Sequence, residues 1–260
     1  MNRFMLRKIG INKKMAAVIG ISVLLLMSEL IYGQGFWTYD YSKTATVTML
    51  SNVYALSQYV LFAGMFPGIP YALTFLDESK SGYQKYILGR MSYKAYIFQK
   101  ISGSLISGMM VTGIPYIIMA MIIRTGTMAA TVNNTNQDPE QWMWSSVIMI
   151  GGGIVVIAGK GVLCMLFGGM WSLLTMLVSM VVSNRYAAFI LPFIIYQVIW
   201  LIFPIRQLNP VFLIRSDFDG SMKIGAILCF SGVYHPFDFS HITVIQEENS
   251  KCGTLKKYIW

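Results

Sequence analysis

Charge is scarce in this chain: Asp, Glu, Lys and Arg make up 12% of 260 residues, about half the share of a soluble domain. Together with 55% hydrophobic residues this excludes a disordered or ordinary water-soluble protein. Acids are scarcer still, 11 against 20 Lys and Arg, and a net charge of +9 on so apolar a chain orients it in a bilayer rather than binding nucleic acid. The three cysteines, Cys164, Cys229 and Cys252, are too few and scattered for a disulfide framework, and no Cys-x-x-Cys offers a zinc site. There are only two histidines, His235 and His241. With Asp238 they lack a further ligand for a metal, and the stretch reads as a polar tail.

The missing chemistry also bears on catalysis. Hydrolytic or acyl-transfer enzymes in membranes need a His or a carboxylate pair at depth to move protons, and none is there. Ser104 has no visible base and reads as a helix-packing residue. The nearest approach to a phosphate-binding loop, Gly153 through Gly159-Lys160-Gly161, has the wrong glycine spacing and a Gly where the magnesium-binding hydroxyl should stand. No enzyme activity and no cofactor are expected, and nucleotide-driven work would need a separate subunit.

What the sequence does have is long uncharged runs, which predict an all-α, polytopic integral membrane helical bundle forming a single transmembrane domain. Five clear spans are expected, at about 15–33, 53–76, 101–123, 158–183 and 186–205. A sixth segment, 222–236, falls short of spanning length and reads as a short helix with the tail at the outer surface. The first run follows a basic N-terminus (Arg3, Arg7, Lys8, Lys13, Lys14) and lacks a small-x-small cleavage site, so it reads as a retained helix rather than a signal peptide. Pro67 and Pro70 should break the second near its end, leaving backbone groups for neighbouring helices or water to satisfy. Small residues at Gly103, Ser104, Ser107 and Gly108 should let another helix approach the third. For the run 141–184, an interfacial or re-entrant segment at 142–156 followed by a helix at 158–183 fits the charge rule better than two tight antiparallel spans.

Basic residues favour one side. With the N-terminus inside, Lys80, Lys85, Arg90, Lys94, Lys100 and Arg185 join the N-terminal bases, against Lys43, Arg124, Arg206 and Arg215 outside. Lys251, Lys256 and Lys257 would lie inside only if 222–245 crossed. Trp37, Tyr39, Tyr41, Trp142 and Trp144 fall where an outer aromatic belt belongs. The expected location is the plasma membrane, multi-pass, with a cytoplasmic N-terminus. Asn133-Asn134-Thr135 matches a glycosylation acceptor by chance. Two ionisable residues lie near or within spans: Glu29 in the outer turn of the first, and Lys160, which either snorkels to the interface or belongs to a polar pathway or ion pair.

The link 77–100 is the most informative stretch. It opens with Asp77 and Glu78, passes Gly82 and closes with bases, a charge order that suits a short helix. It serves equally as a docking surface or a solvated loop whose bases only fix topology. The arrangement resembles the permease subunits of ABC-2 type exporters, in which an acid followed by Gly closes helix 2, as Glu78 and Gly82 do here, and a basic-aromatic stretch ending in Lys leads into helix 3, as Arg90, Tyr93, Tyr96 and Lys100 do. Trp171 through Ser179, Asn184-Arg185-Tyr186 and Pro192 resemble the end of helix 4 and start of helix 5 in small bacterial members. The resemblance covers about residues 1–210; the family's strongly apolar sixth helix has no clear counterpart, as in a truncated or degenerate C-terminus. It implies an ATP-driven exporter in which a separate ATP-binding subunit grips a coupling loop containing Asp77, Glu78, Gly82, Arg90, Tyr96 and Lys100, and in which a second permease copy or paralogue completes the dimer. A secondary transporter or channel, or a non-transporting immunity or scaffold protein, are the alternatives.

Overall fold

A computed structural model describes residues 13–38, 46–90, 92–127 and 145–202, with side chains from 153 onward in the last stretch. The chain divides into Met1–Ser221 and Met222–Trp260, and every described residue belongs to the first. The segment 222–236, the basic tail, His235, Asp238 and His241, the acceptor Asn133, and Tyr39, Tyr41, Trp142 and Trp144 lie outside the described residues.

The described chain is all-helical. Helix α1, Lys13–Ser28, buries Met15, Val18, Ser22 and Leu26, a spacing of three and four residues that defines one face. It runs into a π-turn, Glu29–Gly33, closed by the Gln34 amide bonding to the Glu29 carbonyl at 2.9 Å. The Glu29 carboxyl folds back over Gly33 and would have to swing aside for a Cβ there.

The second apolar run differs from the helix expected at 53–76. It starts earlier, as α2 (Thr46–Leu56), and breaks first at Ser57 and Gln58, well before Pro67. A single turn, α3 (Tyr59–Phe62), a 3-10 turn at Phe66–Gly68 and bends lead to α4 (Thr74–Lys80). Pro67 and Pro70 remove amide donors and keep the ladder from reforming. Side chains from later helices take up its carbonyls: the Tyr196 hydroxyl donates to Val60 O (2.6 Å), Gln197 Nε2 to Leu61 O (2.8 Å) and Ser179 Oγ to Ala72 O (3.4 Å).

A short helix, α5 (Tyr83–Leu88), precedes α6, Tyr93–Gly126, which begins eight residues before the expected 101. Ser92 Oγ caps it by accepting the Ala95 amide, and Tyr96, Ile97 and Lys100 bury against the chain before it, so the first two turns belong to the helix rather than to a loop. The expected break between an interfacial segment at 142–156 and a helix at 158 is also absent. Helix α7 runs unbroken from Ser145 to Val181, 37 residues or about 55 Å, because no proline interrupts it and Gly161 is filled by the ring of Tyr116, 3.2 Å from where its Cβ would lie. Helix α8, Arg185–Ile202, follows a three-residue turn and contains Pro192.

The core is the α6–α7 seam. A Cβ on Gly108 would lie 2.3 Å from Gly168 O, and one on Gly168 would lie 2.2 Å from Thr112 Oγ1, so the backbones touch. Ser172 Oγ donates to Ser104 O (2.8 Å) and Ser104 Oγ to Ser172 O (3.0 Å); Thr112 and Tyr116 donate across to Cys164 O (2.7 Å) and Ile157 O (2.9 Å). Among the described residues four helical stretches, Lys13–Gly33, Tyr93–Gly126, Gly153–Val181 and Arg185–Ile202, are long and apolar enough to cross a membrane. Helix α8 leaves Ile190, Leu191, Ile194, Val198 and Leu201 uncovered, an apolar face suited to lipid.

Candidate functional site: a buried ion pair between α4 and α6

Helical periodicity builds the site. Thr74 and Glu78 stand four apart on α4, and Tyr96 and Lys100 four apart on α6, so each pair shares one face. The faces meet. Lys100 Nζ donates to Glu78 Oε1 at 2.8 Å and to Thr74 Oγ1 at 3.2 Å, while the Tyr96 hydroxyl donates to Glu78 Oε2 at 2.9 Å. The ammonium lies 5.1 Å from the centroid of the Tyr71 ring and 5.8 Å from that of Tyr96, within reach of both π faces. Both charged side chains are below 10% exposed, at 5% for Lys100 and 9% for Glu78. Charges so far from water persist only when paired and hydrogen-bonded, and each carboxylate oxygen here has a donor.

Of the six residues expected to form a coupling loop, the structure thus gathers Glu78, Tyr96 and Lys100 into one cluster. The segment is not a free loop, since those three are buried within or against helices. Asp77 turns the other way and meets Arg185 at the start of α8, 3.4 Å apart and about half exposed, a weak tie by comparison. Gly82 adopts a left-handed φ of 70° that reverses the chain from α4 into α5. Arg90 is exposed after α5 and joins no ion pair among the described residues.

Helix α5 sits on this clamp. Ile87 and Leu88 pack with Tyr93 onto Phe75, Tyr96 and Ile97, whereas Tyr83, Lys85 and Tyr86 face outward, Tyr86 being 75% exposed. With Arg90, Lys94 and Phe98 they form an exposed basic-aromatic surface whose footing is the buried pair.

The other two expected residues are not brought together. Glu29 receives a 3.4 Å hydrogen bond from Gln34 Nε2 within its own π-turn. Lys160 is buried at 5% exposure and donates to Ser51 Oγ at 2.7 Å, so it does not snorkel. Sequence reasoning missed Thr74, Tyr71 and Ser51. The four-residue step from Thr74 to Glu78 was a usable signal, but nothing local marks Ser51 as the partner of a residue 109 positions away. Among the described residues no group of His, Cys, Asp and Glu could hold a metal ion. Compared with known proteins, the chain matches no family model, no curated protein and no solved structure.

Proposed function

We propose that this chain is the membrane-spanning permease half of an ATP-driven exporter of the ABC-2 type. It crosses the plasma membrane five times with its N-terminus in the cytoplasm, pairs with a second permease copy or paralogue, and depends on a separate ATP-binding subunit. The carrying observation is the Glu78–Lys100–Tyr96 clamp beneath an exposed basic-aromatic helix. Force applied to α5 reaches α4 and α6 together, because the ion pair that joins them is buried and costly to separate. A solvated connector whose bases served only topology has no need of such a footing.

The test uses surface residues, which leaves the fold intact. Tyr86→Ala with Arg90→Glu should keep the protein inserted, abolish co-purification of an ATP-binding subunit from the native membrane and remove its stimulated ATP turnover. Normal co-purification and turnover would reduce the link to a connector. A second reading, a secondary transporter or channel, draws on the discontinuous second run and the buried Lys160, since broken helices and intramembrane charge often mark substrate paths. It predicts flux in vesicles holding this chain alone.

A further inference from the structure

The three carboxylates of the described residues are all engaged away from Lys160: Glu29 with Gln34, Asp77 with Arg185 and Glu78 with Lys100. Lys160 lies 15 residues, about 22 Å of helix rise, from the start of α7 at Ser145 and 21 residues from its end at Val181. Its ammonium has three N–H donors and spends one, on Ser51 Oγ; Ser51 in turn gives its proton to Val47 O at 2.7 Å. One turn along the same face of α2 stands Tyr54, whose hydroxyl is buried and has no hydrogen-bond partner. One turn beyond Lys160 on α7 is Cys164, also buried. Two helices therefore turn a buried cation and an unspent hydroxyl toward one small region. The rings of Tyr59 and Tyr116 flank Tyr54 at 5.8 and 5.5 Å.

Everything left over in this region is a donor: two ammonium N–H groups and one phenolic O–H, with a net positive charge and no described carboxylate. Buried charge without a counter-charge is costly, and a ligand that brings only acceptors and one negative charge removes that cost. The geometry points to a binding site for a small monovalent anion, a halide or a carboxylate group, held by Lys160 and Tyr54 between α2 and α7. The site belongs to the helical bundle whichever subunit drives it.

The test is thermal unfolding of the purified full chain in lipid nanodiscs. Sodium chloride and sodium acetate are titrated separately at constant ionic strength against a bulky sulfonate. One of them should raise Tm with the logarithm of its concentration once above the dissociation constant, by about 3 °C at tenfold over Kd. A response to chloride alone identifies a halide site, and a response to acetate a carboxylate site. Lys160→Met should abolish the response, and Tyr54→Phe should raise the fitted Kd about fivefold. No rise in Tm with either salt relative to the sulfonate in the unaltered protein overturns the site, as it would if a carboxylate elsewhere in the chain neutralised Lys160. So does an unchanged Kd in Tyr54→Phe, or an undiminished response in Lys160→Met.

Discussion

Replacing Glu78 with Gln keeps its shape and removes its charge, leaving the Lys100 ammonium buried at 5% exposure without a counter-charge from α4, beside an amide oxygen, the Thr74 hydroxyl and the faces of Tyr71 and Tyr96. Removing one member of a buried ion pair costs about 3 to 5 kcal/mol, and two desolvated ring faces offset about 1 to 2 of that. The expected loss is therefore about 2 to 3 kcal/mol. Lys100→Met should cost about 3 kcal/mol or more, because the Glu78 carboxylate then stays buried without its cation, accepting from the Tyr96 hydroxyl. The double variant buries no charge, and methionine packs well between two aromatic rings, so it should lose only about 1 to 2 kcal/mol, less than either single change. Equilibrium unfolding in mixed micelles measures all four proteins on one scale. If the two single losses add in the double variant to within about 0.5 kcal/mol, the residues are not coupled and the clamp does not join α4 to α6.

Cysteines placed at Lys85 or Arg90 should resist an impermeant thiol reagent in intact cells while cysteines within Asn133–Gln137 label, and the reverse pattern would invert the proposed orientation. Gly108→Val should cost about 2 to 3 kcal/mol in the same unfolding assay, since its side chain would enter the space of Gly168 O, 2.3 Å from the ideal Cβ; a loss below about 0.5 kcal/mol would mean that the α6 and α7 backbones are not in contact. Gly82→Ala meets no neighbouring atom, so its cost of about 1 kcal/mol is conformational only. The same change should weaken ATP-binding-subunit association without reducing membrane insertion, and normal association would show that the reversal at Gly82 does not matter to docking.

Uncharged runs were enough to locate α1 and α8 to within a few residues and the C-terminal end of α6, because lipid demands length and apolarity and both are local properties. Where the second run breaks was not legible: Ser57 and Gln58 carry no breaker, and the carbonyls of Val60 and Leu61, before the next turn at 63–65, are bound by Tyr196 and Gln197, distant in sequence. The opposite error arose at 157, where the length of the run and the charge rule suggested an interfacial segment ending at 156, but the helix continues unbroken with a ring of α6 against Gly161. Glu78, Tyr96 and Lys100 were visible as a charge pattern, though only the early start of α6 at Tyr93 puts the latter two on one face and turns an expected loop into a buried pair. Lys160 was legible as an exception to apolarity; its partner was not, since hydrogen bonds between helices leave no trace in local spacing.

The broken second run sets an order of assembly. Its carbonyl at Leu61 is bonded by a side chain 136 residues downstream, and that at Ala72 by one 107 residues downstream, while Val60 O gains a second donor from Tyr196 beside the local Ala63 amide. When this segment leaves the ribosome those donors do not yet exist, and unsatisfied backbone in hydrocarbon costs several kcal/mol per group. At synthesis rates of about 5–20 residues per second, the segment waits several seconds for them. During that interval it must stay in water, in the translocation channel or against a chaperone, and it docks only once α7 and α8 are in place. Truncation before residue 179 should therefore leave α1 inserted and the second run accessible to protease.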